Sequence, residues 1–425
     1  MVRTYSRTMA VMAIALPLGP TVAAVGQTRT SAADRISTDI EFLAADALEG
    51  RGVGTAGLDS AASFVAGRFE EAGLRPHHPL GFLQWFAIDS SAPAAAHAGL
   101  GGAVVSNVVG VLPGWGDLAS QAIVVGAHYD HLGYGGFGSL DSDSVNVVHN
   151  GADDNASGTA VMIEVARMLQ ARETDHARTV VFVAFTAEEM GLIGSSYYVN
   201  HPVVTSDSTY AMINLDMVGR LTDDKLAVFG AETAEEFPLL LDSINRGFAF
   251  DLAASGDGFG RSDQQSFFTA KIPVLHFFTG THEDYHRASD DSHRTNAAGA
   301  ARVAAFVAAL TWNLATRIAP LTFVDAEPRQ MTTSGGYGAY LGTIPDMTGS
   351  PNGVRLSGVR AGSPADEAGV RAGDIIVGIG EFDIADLYEM TDALRAHKPG
   401  QTVTVRVRRG DDVVELTATL GQRGG

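Results

Sequence analysis

One stretch limits the fold more than any other. Thr179–Phe185 reads TVVFVAF, with no polar position to mark a solvent-facing side. Successive side chains of a strand leave on opposite faces, so a half-exposed strand alternates apolar and polar residues. An unbroken run of β-branched and aromatic residues requires cover on both faces. Further apolar runs, Val104–Val111, Gln121–Ala127, Tyr210–Leu215 (YAMINL) and Ile272–Phe278 (IPVLHFF), also read as strands. Between them lie helical patterns at Asp34–Ala47, with Ile36, Ile40 and Leu43 on one face, and at Ser60–Ala72, stopped by Gly73. Gly158–Gln170, the segment after Thr186-Ala-Glu188-Glu189, and Ala297–Arg317 complete the set. Strands alternating with helices predict an α/β sheet with helices on both faces.

Each polar cluster follows the C-terminal end of a strand. His128 and Asp130 follow Gln121–Ala127 and leave an extended chain on the same face. That pair suits an imidazole that binds a metal while a carboxylate fixes its tautomer. Asp153-Asp154-Asn155 sits between Gly151 and Gly158, where the backbone can turn sharply. Glu188 and Glu189 follow Thr179–Phe185, Asp216 follows Tyr210–Leu215, and His286 lies after Ile272–Phe278. Singly, these residues read as helix-capping acids, a turn aspartate and a loop histidine. Together they fall at the C-terminal edge of the sheet, where open α/β folds bind ligands.

Composition narrows the chemistry. The 425 residues, 45% hydrophobic, are enough for one large core and a smaller second domain. With 29 Lys+Arg against 49 Asp+Glu the formal net charge is −20, which argues against nucleic acid or an acidic membrane as partner. There is no cysteine, so disulfides and thiolate metal sites are excluded and any metal is held by His, Asp and Glu. Arg3 and Arg7 before the apolar run Met9–Leu18, then Ala24 and Gly26, have the order of a secretory signal peptide over residues 1–26. Export to the periplasm or outside the cell is therefore expected. No later segment is expected to span a membrane.

Three literal motifs fail their structural tests. Gly52, Gly54 and Gly57 match GxGxxG with no strand before them, and Gly133, Gly135 and Gly138 match it with no helix after them. His282-Glu283-Asp284-Tyr285-His286 matches HExxH, but it follows a strand and Gly280 and runs into Asp290 and Asp291, where a zincin needs a helix.

The ordered set GAHYDH, GADDNASG, TAEEMGLIGS, NLDMVGR and DYHRASDD resembles the M28 family of co-catalytic zinc aminopeptidases over roughly residues 35–317. FLAADALEGRGVGTAG is similar to that family's entry segment. The resemblance implies a zinc-exopeptidase, phosphorylase/hydrolase-like α/β/α sandwich with two zinc ions over residues 31–319. His128, Asp154, Glu189, Asp216 and His286 would be the ligands, with Asp154 bridging. Glu188 would be the general base, and Asp130 and Asp290 would orient the two histidines. A non-proline cis peptide is expected at Asp154–Asn155. Tyr285 would hydrogen-bond the oxyanion. Adjacent residues of a non-helical chain point different ways, so Glu189 can face a metal while Glu188 faces the water. In this sequence Gln264 stands where the family often has histidine, and Arg75–Asn107 is too short for a large protease-associated insert.

Residues 320–334 read as a linker. Residues 335–425, carrying GVRAGSPADEAGVRAGDIIVGIG, resemble a small β-rich PDZ domain of the bacterial protease-associated kind. Tyr340-Leu341-Gly342 is similar to its carboxylate-binding loop, which would capture the C-terminus of a peptide added as a strand. The whole implies an exported metallo-aminopeptidase acting on peptides with a free N-terminus. Dipeptidase or carboxypeptidase-type relatives, and an inactive peptide-binding homologue, are the alternatives.

Overall fold

The computed structural model describes the chain apart from residues 2–29, 91–94, 96–97, 137, 142–145, 173–176, 261, 326–338, 346–352, 361, 386, 411 and 423–425. The expected signal peptide lies outside the described residues.

The α/β domain is built on a nine-stranded sheet. Its strands are β1 (Arg75–Pro76), β2 (Leu83–Ala87), β3 (Val104–Leu112), β4 (Ala122–His128), β5 (Thr179–Phe185), β6 (Thr209–Leu215), β7 (Lys225–Phe229), β8 (Asp251–Ser255) and β9 (Val274–Phe278). The order is β1-β3-β5-β4-β6-β9-β7-β8, with β2 on β3. The centre, β5-β4-β6-β9, is parallel, so four strands deliver their C-terminal ends to one edge. β3 and β7 flank that centre antiparallel.

The continuous apolar strands are covered on both sides, as their pattern requires. Ile123, Val125, Phe182, Ile213 and Leu275 face one layer, made by helices α1 (Ala32–Leu43), α2 (Ala56–Glu71), α3 (Gly158–Gln170) and the long Ala297–Thr316. Val124, Val181, Val183, Met212 and Val274 face the other, where Tyr198 of α4 (Ile193–Asn200) packs with Phe267 and Phe268. Helix α2 starts earlier than its apolar pattern suggests, because Thr55 caps it: its hydroxyl accepts the Leu58 N–H at 3.2 Å.

One helix meets the membrane-span criterion, and one expected boundary is corrected. Ala297–Thr316 is long and apolar enough to cross a membrane by length and composition. It packs instead against α1 and α3 in the core, which is why it is apolar on so wide a face. The stretch expected to be linker from residue 320 begins as part of the α/β domain. Phe323 bridges to Ala234, the Val324 N–H bonds the Thr233 carbonyl, and Lys271 pairs with Asp325 at 2.6 Å.

The C-terminal module has its own core of Leu341, Leu356, Ile376, Ile379, Val405, Val407 and Leu420. Its six-stranded antiparallel sheet orders Thr343–Pro345, Val354–Val359, Ile375–Ile379, Thr402–Arg409 and Asp412–Thr419, with Phe382–Asp383 on Ile375–Ile379. Thr343–Pro345 is an edge strand. It follows Gly342, whose φ of 86° is the left-handed region that favours glycine. The Leu341 and Gly342 carbonyls accept the N–H groups of Ala365 and Arg360, which ties this loop to the turn preceding Pro364–Glu367.

Candidate metal centre

The register of the parallel strands sets the site. His128 is the last residue of β4 and lies opposite Phe185, the last residue of β5, so the segments 128–131 and 186–189 leave the sheet side by side. The His128 Nδ1–H is directed at the carbonyl of Asp130 (3.2 Å), and the Asp130 carboxylate lies further away at 3.9 Å. With Nδ1 so engaged, Nε2 faces Asp154 Oδ1 at 3.3 Å and Asp216 Oδ1 at 3.5 Å.

The expected partnership of the Asp130 side chain with His128 is therefore corrected: the backbone carbonyl takes the imidazole. The carboxylate accepts the N–H of Glu188 (3.0 Å) and of Glu189 (3.3 Å), orienting both acids from one point. This is possible because 186–189 is a turn with Ala187 at φ 54°, and its amides are not bound into a helix.

The second loop, 151–158, carries the shared carboxylate. Gly151 has φ 54°, and a Cβ there would meet the Asp154 carbonyl at 2.1 Å and the His131 ring at 2.5 Å. The Asp154–Asn155 peptide is cis. Asp154 Oδ1 is directed at His128 and Oδ2 at His286, whose Nε2 lies 3.2 Å away. His286 Nε2 is also 3.3 Å from Glu189 Oε2.

The orientation of His286 is a second correction. Its Nδ1 bonds the Gly138 carbonyl at 2.8 Å, not Asp290. Asp290, fully buried, accepts the N–H groups of Asp153 (2.9 Å) and Asp154 (3.1 Å) and pairs with Arg220 at 2.7 Å. It positions the shared carboxylate rather than a histidine, because the turn at 287–290 brings it back under the 153–154 peptide.

Residues 282–286 form a turn rather than a helix. His282 Nε2 reaches Asp153 (3.2 Å) while His286 reaches Asp154, so the two histidines of the HExxH match address different carboxylates. Tyr285 stacks on the His286 ring at 3.9 Å and packs on the cluster of Met217, Ala227 and Phe278. Gln264 is buried and accepts a bond from Asn214 at 3.1 Å.

Two residues that pattern reading passes over belong to this centre. His131 is buried, with Nδ1 2.9 Å from Glu189 Oε1 and 4.0 Å from Asp154 Oδ2. Period-two reasoning puts it opposite His128 and Asp130, but the chain turns after Asp130. Arg51, 0% exposed, bonds the carbonyls of Leu43, Tyr129 (2.7 Å), Asn150 (2.7 Å) and Gly151 (2.9 Å). It thus fastens the first polar loop to the second. Its one sequence signal is an arginine set among glycines in EGRGVGTAG.

The electrostatics are those of an acid cluster short of positive charge. Burial pushes the Glu188 carboxyl well above the usual range, with Glu189, Asp263 and Asp216 adding to the effect against the opposing pull of His128. Burial also pushes Asp130 up to about 6. For Glu189, burial is outweighed by His286 and by bonds from His131 and His286, which bring it to about 2. His128 and His286 are raised: burial opposes this, but the carboxylates facing them win.

The residues fit divalent metal. The donor atoms of His128, Asp154 and Asp216 all lie within 4.8 Å of one another, as do those of His131, Asp154 and Glu189. Asp216 Oδ1 is buried without a hydrogen-bond partner, as expected of a ligand atom whose partner is an ion. Imidazole and carboxylate without thiolate is a donor set that suits zinc.

Comparison with known proteins finds relatives for both parts of the chain. Residues 107–311 match the model of peptidase family M28, and residues 331–420 match that of the PDZ domain. Aminopeptidase YwaD of Bacillus subtilis is 36% identical over 117 residues, 27% of this chain and 22% of that protein. Leupeptin-inactivating enzyme 1 of Streptomyces exfoliatus is 27% identical over 244 residues, 57% of this chain and 48% of that protein. The chain thus spans about half or less of the length of these curated relatives. The solved structure of BSAP, a zinc aminopeptidase from Bacillus subtilis, superposes with a TM-score of 0.54 at 19% identity, covering 69% of this chain and 98% of that one. At that identity the likeness is one of fold. Together these matches assign residues 107–311 to peptidase family M28 and residues 331–420 to a PDZ domain that follows it.

Proposed function

We propose that the protein is an exported aminopeptidase that uses two zinc ions and removes N-terminal residues from peptides. The observation that carries this reading is the Asp154 carboxylate, which turns one oxygen to His128 and the other to His286. His128, Asp154 and Asp216 would hold one ion, and Asp154, Glu189 and His286 the other. Zinc held there would polarise the scissile carbonyl and make a bound water acidic enough to attack at neutral pH.

The chain's own groups do the rest. Glu188, fixed through its N–H by Asp130 and made more basic by burial, takes the water's proton and hands it to the leaving amine. Tyr285 is pushed up by burial and the surrounding carboxylates, so it remains a donor for the developing oxyanion. Surplus carboxylate favours a substrate that brings an ammonium group. Among the described residues, the arginines tied into the loops are committed elsewhere: Arg51 to carbonyls, Arg220 to Asp284 and Asp290, and Arg287 to Asp141. That disfavours a carboxypeptidase, which needs a cation for the substrate's terminal carboxylate.

At the PDZ domain a peptide C-terminus would add to the edge strand Thr343–Pro345 and meet Tyr340-Leu341-Gly342. The signal-like segment at 1–26 supports a periplasmic or secreted location.

Metal analysis and a paired substrate panel test the reading. The mature protein should carry two zinc ions and hydrolyse free but not N-acetylated peptides. Release of C-terminal residues from N-acetylated peptides would make it a carboxypeptidase. A metal-free protein without peptidase activity would make it a binding protein.

A further inference from the structure

We propose that His131 is a positioning residue that divides the two oxygens of Glu189, and so sets the affinity of one metal position. The inference rests on the two-metal reading above. His131 Nδ1 lies 2.9 Å from Glu189 Oε1, while Oε2 lies 3.3 Å from His286 Nε2 and faces the centre. A carboxylate with one oxygen taken by an N–H offers the other to a metal in a fixed direction. An unrestrained glutamate has three side-chain torsions to fix before it can bind.

His131 is itself held from several sides. Its backbone N–H donates to the Arg51 carbonyl at 3.2 Å. Its ring lies against Gly151, where even a Cβ would sit 2.5 Å from Cγ and Cδ2. The His286 ring meets it edge-on at 5.8 Å. A ring so enclosed cannot swing to present its other nitrogen to the centre. Its Nδ1 could otherwise join Asp154 and Glu189 around an ion, but it is engaged by Glu189 Oε1, and on this proposal His131 acts through that carboxylate.

The test is metal titration of the full-length protein, stripped of metal, with Co2+ followed by visible absorption. His131→Phe keeps the ring volume and loses the donor. It should weaken one of the two metal positions by about 10–100-fold and leave the other within about three-fold. His131→Asn, whose amide nitrogen overlays Nδ1, should restore most of that affinity. A residue that only fills space would give the opposite ranking, with Phe tolerated better than Asn. Both affinities unchanged in His131→Phe, or no rescue by Asn, overturns the proposal. A wild-type protein that binds fewer than two ions overturns the underlying reading instead.

A measurement on the wild type is independent of whether the variants fold. In cadmium-loaded protein with 15N-labelled histidine, metal–nitrogen coupling is expected at His128 and His286 and absent at His131. Coupling at His131 would make it a ligand and refute the positioning role.

Discussion

Arg51→Met removes a buried charged head and keeps most of the side-chain stem. In the native domain that head satisfies four carbonyls, on Leu43, Tyr129, Asn150 and Gly151. The Gly151 carbonyl keeps the Ala156 N–H, so three carbonyls are left dry and unpaired; at about 2 kcal/mol each, the middle of the usual range of about 1–3, roughly 6 kcal/mol is lost in all. Part of this is offset, because burial disfavours the guanidinium: its pKa falls from 12.5 to about 10, with Asp130 and Asp154 resisting the fall. At about 1.4 kcal/mol per pH unit, deleting the charge returns about 3 kcal/mol. The expected net destabilisation is about 3 kcal/mol. Urea unfolding of metal-free protein measures it. Tryptophan fluorescence is the right signal, since Trp85, Trp115 and Trp312 all lie in the α/β domain and the PDZ domain has none. Arg51→Lys, a charge without the planar fork, should fall between wild type and Arg51→Met. A loss below about 1 kcal/mol would mean that water replaces the guanidinium, and that Arg51 does not hold the two loops together.

Three further outcomes are expected. Glu188→Gln should retain both metal ions and lose about 10²–10⁴-fold in turnover, whereas Glu189→Gln should weaken metal binding; the reverse pattern in metal analysis and kinetics would exchange their roles. The metal-free protein should melt at a lower temperature at pH 7.5 than at pH 4.5. Burial raises Asp130 to about 6 and Asp263 to about 7 from 3.8, and His128 and His286 are raised too, so the native state holds protons that the unfolded chain has released and stability falls as pH rises. A higher melting temperature at pH 7.5 refutes this sign. A chain ending at Asp325, which keeps the contacts of Phe323 and Val324, should cleave a single-residue chromogenic substrate with nearly unchanged kcat and KM. Loss of that activity in a folded, metal-loaded domain would place the PDZ domain in the active site.

The strands and the residues at their ends were legible because both depend on local pattern. TVVFVAF needs cover on two faces wherever it sits, and a polar residue directly after such a strand must lie at the sheet edge. What sequence hid is what the other chain segments do to those residues. Arg51 bonds carbonyls 78, 99 and 100 positions away, and no periodicity encodes a side chain that binds only backbone. His131 was hidden by a turn that reverses the face expected from alternation. The family resemblance implies that Asp290 orients His286, yet its carboxylate binds the amides of Asp153 and Asp154, 137 and 136 residues away. The run 322–325 looked like linker because its attachments are single contacts to distant residues such as Ala234 and Glu236.

The order of strands across the sheet also governs when the centre can come into being. β4 stands between β5 and β6, and β9 lies beyond β6, so the last parallel strand to be synthesised must dock before His286 and Asp290 can meet the 153–154 loop. Closing contacts across more than a hundred residues is entropically unfavourable and slow. During synthesis from the N-terminus, Asp153, Asp154, Glu188, Glu189 and Asp216 emerge before the residues that complete their surroundings. Metal bound at these residues would therefore meet a nearly finished domain, where it would act as a latch and raise the barrier to unfolding rather than nucleate the fold.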